Sequence, residues 1–421
     1  MKQDTVWESA LASEELPSAK SVLEQIVREG AQKMLQQAIE FEVDEYLSTH
    51  QQQDERGKRV VVRHGHLPKR NLMTGIGPIA VQAPRVRHRD GGARFSSAIL
   101  PCYLRRSPSL DALIPALHLK GVSSGNLQEA LEAILGPGAA GLSSSNIIRL
   151  KQVWEEEYQQ WQRRDLSGKE YVYFWVDGIH CNVRLGDSGL CILVVMGALE
   201  DGRKELIAVV DGYRESKTSW LEVLRDLKAR GLKQGPRLAI GDGALGFWAA
   251  FEEEYGDGSV QRCWVHKTAN VLDKMPKSVQ PGAKELLHEM YRAANKNDAL
   301  LAYEKFLRRY QAKYPKACAC LEKDKEVLFT FYQFPAEHWS HIRSTNPIES
   351  TFATVRHRTR QSKNCCNRKS TLAMVYKLAS QAQKKWRRIN APKLLGRISC
   401  GVKFVDGIEE KVETQPLKMA A

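Results

Sequence analysis

No apolar run in this chain approaches the ~18 residues that a membrane-crossing helix needs, so a membrane-spanning protein is not expected. The opening stretch, MKQDTVWESALASEELPS, is acidic and lacks an apolar h-region, so it does not read as a secretory signal. Cysteine is sparse and scattered: nine in all, with only Cys318/Cys320 and Cys365/Cys366 close together. That spacing offers no disulfide framework, and reduced thiols of the cytoplasm are the expectation. Acidic residues are missing from two long stretches. Ser350 to Val405 holds no Asp or Glu but fourteen Lys and Arg, and Gly57 to Arg89 holds none against eight basic residues.

What is present describes a soluble, folded protein. Hydrophobic residues make up 43% and charged residues 27%, and 421 residues are enough for two or three domains. The formal net charge of +14 implies a polyanionic partner. Two basic stretches far apart in sequence read as two phosphate-contacting surfaces.

Along the chain, residues 19–48 carry apolar residues at helical spacing, with Leu23, Ile26, Val27, Met34, Leu35 and Ile39 on one side. A short strand is expected between Leu72 and Val86, among Gly and Pro turns. Residues 109–150 read as helices, with Ser123 or Ser124 and Ser143 or Ser144 as caps, and fit a helix-turn-helix that would enter a DNA groove. The texture changes at Lys169. YVYFWV (171–176), GLCILVVMGAL (189–199) and LIAVV (206–210) read as buried strands, followed by a helix over 218–232. A strand over 236–243, a helix over 244–256 and a fifth strand over 259–266 complete a mixed sheet flanked by helices. Helical patterns run from Lys267 to Pro335. A helix over 346–360 then opens with Asn346 as cap and Pro347 in its first turn. The expected organisation is an N-terminal, mainly helical DNA-binding region with a basic unit (1–105) and a helix-turn-helix-like part (106–166). A catalytic core (167–266 and 336–390) follows, interrupted by an all-α insertion (267–335), and a tail (391–421) ends the chain.

Asp177 and Asp242 each follow an apolar run and precede Gly. In open α/β sheets, ligands bind at the carboxyl ends of strands. Two such acids with a third on an adjacent helix form an oxygen cage suited to Mg²⁺ or Mn²⁺. Two ions about 4 Å apart can activate an attacking oxygen and stabilise a leaving oxygen on a phosphodiester. A single Asp after a strand is equally often a turn residue. Asp187, Asp201 and Asp211 are rivals, and Asp211 is the serious one.

The blocks FWVDGIHCNVR, LAIGDGALGFWAAF, QRCWVHKTANVLDKMP and HWSHIRSTNPIESTFATVRHRTRQSKN resemble those of Mutator-like transposases of bacterial insertion sequences. The resemblance spans residues 60 to 390. It implies an Asp-Asp-Glu enzyme on a ribonuclease-H-like α/β fold, with Asp177, Asp242 and Glu349 as catalytic and metal-holding residues and two Mg²⁺ or Mn²⁺ ions as cofactor. It further implies double-stranded DNA as partner, a homodimer or larger assembly, and a cytoplasmic, nucleoid-associated location. Arg356 falls on the family's basic position seven residues after the Glu, on the same helical face. Arg358, Arg360 and Lys363 join it as candidate DNA contacts.

The family also carries the pair Cys263 and His266. Read by themselves they are half a zinc site at most, because zinc wants four ligands. With Asn346 they are taken as structural support of the active site. Trp339, in a polar stretch, could stack on an unpaired base but fits core packing better. Two other functions stay open: a ribonuclease-H-like nuclease or resolvase without strand transfer, and a DNA-binding regulator with an inactive core.

Overall fold

The computed structural model describes residues 19–92, 94–110, 126–135, 144–181, 190–243, 245–256, 258–361 and 367–410, with Leu113, Leu117 and Val122 between them. The chain divides into two compact units, Met1–Ile147 and Ile148–Ala421.

In the first unit, α1 (Ala19–Thr49) is one long helix. Four strands follow: β1 (Val61–His66), β2 (Arg70–Thr74), β3 (Gly77–Val81) and β4 (Pro84–His88). Both pairs, β1 with β4 and β2 with β3, are antiparallel. The single short strand expected between Leu72 and Val86 is therefore too little, and this region is less purely helical than its sequence suggested. Pro68, Gly75 and Pro84 cut the segment into pieces too short for the alternation to stand out. Ile39 of α1 packs with Leu72, Ile79, Val81 and Leu100. A second small core joins Met73 and Leu110 to Leu131 and Leu135 of α2 (Leu127–Leu135). The turn of the expected helix-turn-helix, 136–143, and the capping candidates Ser123, Ser124 and Ser143 lie outside the described residues. Ser144 opens the next helix, α3 (Ser144–Gln162).

The second unit is built on a five-stranded mixed sheet flanked by helices. Its strands are β5 (Tyr171–Cys181), β6 (Leu190–Leu199), β7 (Lys204–Asp211), β8 (Leu238–Gly241) and β9 (Ser259–Arg262), in spatial order β7-β6-β5-β8-β9. The first three form an antiparallel meander; β8 runs parallel to β5 and β9 parallel to β8. Parallel neighbours require crossovers, and α4 (Lys217–Ala229) and α5 (Leu245–Glu254) supply them. Alternation along β5 sends Phe174 and Val176 into a core with Leu193, Trp220, Leu224, Phe247 and Phe251. Tyr173, one residue before Phe174 and so on the other face of the strand, instead meets Phe334 and His338. Burying each such aromatic contributes roughly 1.5–3 kcal/mol.

The helical part comprises α6 (Trp264–Leu272), α7 (Gln280–Arg292), α8 (Lys296–Tyr310), α9 (Pro315–Glu322) and α10 (Lys325–Leu328). After α11 (Trp339–Ile342) come α12 (Asn346–Gln361) and α13 (Arg368–Gln383). Residues expected as a tail carry α14 (Lys393–Ser399), with Leu395 and Ile398 buried, and a small hairpin of β10 (Phe404–Val405) and β11 (Ile408–Glu409). The fifth strand is shorter than expected. It stops at Arg262, Cys263 caps the next helix, and His266 lies inside α6.

Candidate active site

Asp177 is not at a strand end. β5 continues past it to Cys181 through pairing with β6, and Asp177 faces Val194 across the ladder. Asp242 does follow the last residue of β8. The two acids are thus carried by neighbouring parallel strands. One guanidinium bridges them: Nη1 of Arg214 lies 3.2 Å from Asp242 Oδ2 and 3.9 Å from Asp177 Oδ1. Arg214 sits in the link from β7 to α4, where its carbonyl accepts from Trp220 Nε1 at 2.8 Å. Gly178 leaves room for the arginine stem, since a Cβ there would come within 2.9 Å of Arg214 Cγ and Cδ.

Asp177 is 6% exposed. Burial, reinforced by the charge of Asp242, pushes its carboxyl up to about 6, against the Gly178 N–H, His266 and Arg214. Gly178 N donates to Oδ1 at 2.7 Å. Such a carboxyl is poised to exchange a proton for a cation near neutral pH.

Glu349 lies in the first turns of α12, which packs against β5. Thr345 Oγ1 donates its single proton to Glu349 Oε1 at 2.7 Å and stands 3.3 Å from both Cys263 Sγ and His266 Nδ1. The Thr345 N–H donates to Cys263 Sγ at 3.3 Å, and Cys263 N donates to Gly241 O at 2.8 Å. A chain of contacts therefore runs from Gly241, beside Asp242, through Cys263 and Thr345 to Glu349. The hydrogen bond to Cys263 raises His266 to about 9, with Glu349 and Asp177 adding to it. Burial pushes the Cys263 thiol up, but the hydrogen bond and charge of His266 outweigh it and leave the thiol below its usual range. One donor atom from each of Cys263, His266 and Glu349 falls within 4.8 Å of the others. Asn346, the expected cap, is instead the exposed first residue of α12, and the buried Thr345 before it makes the anchoring contacts.

Asp211 ends β7, two strands from β5, and forms an ion pair with Arg368. Arg356 is exposed on α12. The side chains of Arg358 and Arg360, and all of Lys363, lie outside the described residues. Part of the basic stretch that lacks acids in sequence has them in space: Lys377 pairs with Glu157 and Arg397 with Glu409. Trp339 is packed against Phe331 and Tyr332 and donates to Phe334 O at 2.8 Å, the core-packing arrangement. Among the described residues no helix is long and apolar enough to cross a membrane.

Residues 2–389 match the family described as "Transposase, Mutator family". The chain belongs to the Mutator family of transposases. It is 53% identical over 289 residues to the transposase for insertion sequence element IST2 of Acidithiobacillus ferrooxidans, covering 67% of this chain and 95% of that protein. Against the transposase for IS6120 of Mycolicibacterium smegmatis it is 50% identical over 298 residues, 71% of this chain and 92% of the relative. The transposase for IS256 in transposon Tn4001 of Staphylococcus aureus is more distant, 29% identical over 357 residues, 83% and 88% of the two chains. The resemblance read from the catalytic blocks is thereby shown.

In this transposase the sequence reading passed over Arg214 and Thr345. Arg214 lies in a polar link with no periodicity to mark it. Thr345 stood one position before the expected helix cap, where a one-residue shift in the helix start brings it into view.

Proposed function

We propose that this transposase binds the terminal inverted repeats of its insertion sequence, hydrolyses one strand to free a 3′-OH, and joins that hydroxyl to target DNA. The reaction centre is Asp177, Asp242 and Glu349 on a ribonuclease-H-like core. The observation that carries the reading is the pairing of Asp177 and Asp242 on adjacent parallel strands around one cationic group.

The donors suit hard divalent cations. Two carboxylates that converge on a single guanidinium nitrogen leave a position where positive charge is favoured, and all their donor atoms are oxygen. Mg²⁺ or Mn²⁺ bound there, two ions in the full site, would neutralise phosphate charge and lower the pKa of the attacking oxygen. The protein's own contributions can be assigned residue by residue. Asp177 must release its proton before it can ligate, and its pKa of about 6 lets it do so at neutral pH. Arg214 keeps the two aspartates from repelling each other until the site is loaded. Thr345 fixes the Glu349 carboxylate through its hydroxyl, and Cys263 ties Thr345 to the end of β8. Arg356, with Arg358, Arg360 and Lys363, holds phosphates flanking the scissile bond. Two DNA ends must be joined, so at least two copies act together, in the cytoplasm at the nucleoid.

The test compares Asp177→Asn, Asp242→Asn, Glu349→Gln and Asp211→Asn on one end-containing duplex with Mg²⁺. Each of the first three loses an anionic ligand with little change of shape, so nicking and strand transfer should fall roughly a hundredfold or more. DNA binding should survive, because it rests on Lys and Arg. Asp211→Asn should stay active. A folded Glu349→Gln that cuts as fast as the parent would remove Glu349 from the site and the mechanism with it. Nicking without any joined product would leave a nuclease.

A further inference from the structure

Glu349 completes a donor set of which the sequence shows only half. Cys263 caps α6 and His266 follows three residues on, so a sulfur and an imidazole nitrogen meet at one side of the helix start. The third donor comes from another element. Glu349, in the first turns of α12, brings Oε1 to 3.8 Å from His266 Nδ1. One donor atom from each of the three lies within 4.8 Å of the others. A tetrahedral zinc ion, bonded at ~2.3 Å to sulfur and ~2.0–2.2 Å to nitrogen and oxygen, spaces its ligands roughly 3.3–3.8 Å apart. The three atoms reach that spacing by closing in about 1 Å.

The chemistry of this set differs from that of the aspartate pair. Thiolate sulfur and imidazole nitrogen select Zn²⁺ or Co²⁺, whereas Mg²⁺ prefers all-oxygen sites. In the metal-free fold, hydrogen bonds hold the donors together. Cys263 and His266 bond to each other, and Thr345 Oγ1 stands 3.3 Å from Sγ, 3.3 Å from Nδ1 and 2.7 Å from Oε1. Ligating groups give up such protons when a metal arrives. Three protein donors suffice where a water takes the fourth position. A way in exists for ion and water, because the His266 and Glu349 side chains are 33% and 28% exposed while Cys263 is fully buried behind them.

We propose that Cys263, His266 and Glu349 form a separate site for one Zn²⁺, and that filling it withdraws Glu349 from the Asp177–Asp242 pair. A carboxylate oxygen drawn onto zinc beside the thiolate is lost to the ions that the aspartates hold, so Zn²⁺ and Mg²⁺ compete through one residue. The antagonism rests on the role proposed above for Glu349; the zinc site does not.

The test strips the full chain of metal and titrates it with Co²⁺, whose bond to a thiolate gives a charge-transfer absorption. About one equivalent should bind with that band, Zn²⁺ should displace it, and excess Mg²⁺ should not. Cys263→Ser should lose the band and Cys320→Ser should keep it. His266→Gln and Glu349→Gln should each weaken cobalt binding at least about tenfold. Should Cys263→Ser not fold, Glu349→Gln decides alone, since it keeps the shape of the side chain it replaces. A parent without the band, a band that survives in folded Cys263→Ser, or unchanged affinity in Glu349→Gln overturns the site. With Mg²⁺ saturating, equimolar Zn²⁺ should slow nicking by the parent at least about tenfold and leave Cys263→Ser at its own zinc-free rate. Cobalt binding as expected, with nicking indifferent to Zn²⁺, supports the site and overturns the antagonism. A parent that holds cobalt but never cuts with Mg²⁺ supports the site and overturns the proposed chemistry, the antagonism with it.

Discussion

Asp177 carries a conflict between its burial and the ligation proposed for it. Its carboxyl is buried beside Asp242, which favours the protonated form, yet cation binding requires the ionised one. In an unfolded chain it ionises near 3.8; in the metal-free fold it holds its proton to about 6. Between those values unfolding releases a proton, so this group subtracts stability as pH rises from 3.8 to about 6 and adds no further change above that. The loss reaches about 3 kcal/mol. Glu40 and Asp201 have lowered pKa values and slope the other way, so the difference from a variant is the readable quantity. Urea unfolding of metal-free Asp177→Asn should show a flatter dependence over that window and greater stability than the parent at pH 7. Saturating Mg²⁺ should narrow the gap by stabilising the parent alone. Parallel curves for the two proteins would mean that Asp177 ionises normally and that its burial is relieved in some other way.

At the scale of elements, the sheet was legible because buried parallel strands are short, apolar and separated by amphipathic helices, as LAIG and the helix over 218–232 are. Boundaries were less so. β5 looks as if it stops at Asp177 because its apolar run stops there, yet backbone pairing with β6 carries it to Cys181. Cys263 and His266 look like strand residues since SVQRCWVH runs on through Cys263, Trp264 and Val265 with no Gly or Pro to end it, and only tertiary contacts turn Trp264 into a helix start. Least legible of all were the ion pairs that thin out the basic stretch: Lys377 and its partner Glu157 are 220 residues apart. That pairing divides the stretch into two classes with different consequences. Arg356→Ala combined with Arg358→Ala, on the helix of Glu349, should weaken binding to any duplex and lower the slope of log K against log salt by about one per lost phosphate contact. Lys377→Ala, whose charge is already answered by Glu157, should leave that slope unchanged. Equal slopes for parent and the α12 double variant would make the helix a solvated face.

Transposition asks one molecule for two kinds of DNA binding, selective for the element's ends and tolerant of varied targets. The division into two compact units gives each task a place. The three acids proposed as catalytic and the basic α12 all belong to residues 148–421, where the proposed contacts to phosphate would suit any sequence. The first unit carries exposed Lys58, Arg59, Arg85, Arg87 and Arg89, and Arg85 and Arg87 alternate along β4 so that they share one face. It also contains α2, part of the expected helix-turn-helix. We propose that end recognition lies in the first unit. The cut that tests it matters. A fragment ending near Leu166 would keep all of α3, but Trp154 and Tyr158 are buried, Tyr158 donates to Val209 O at 2.7 Å, and Leu166 N donates to Arg230 O at 2.7 Å. Ending at residue 147 leaves those contacts with the unit that makes them. Residues 1–147 should bind the element's terminal repeat at least about tenfold more tightly than random duplex of equal length, since each correctly read base pair is worth ~1–3 kcal/mol. Residues 148–421 should bind both alike and, given Mg²⁺, nick both alike. If instead the first fragment fails to discriminate while the second prefers the repeat, selectivity lies in the unit of Asp177, Asp242 and Glu349, and target tolerance would need another explanation.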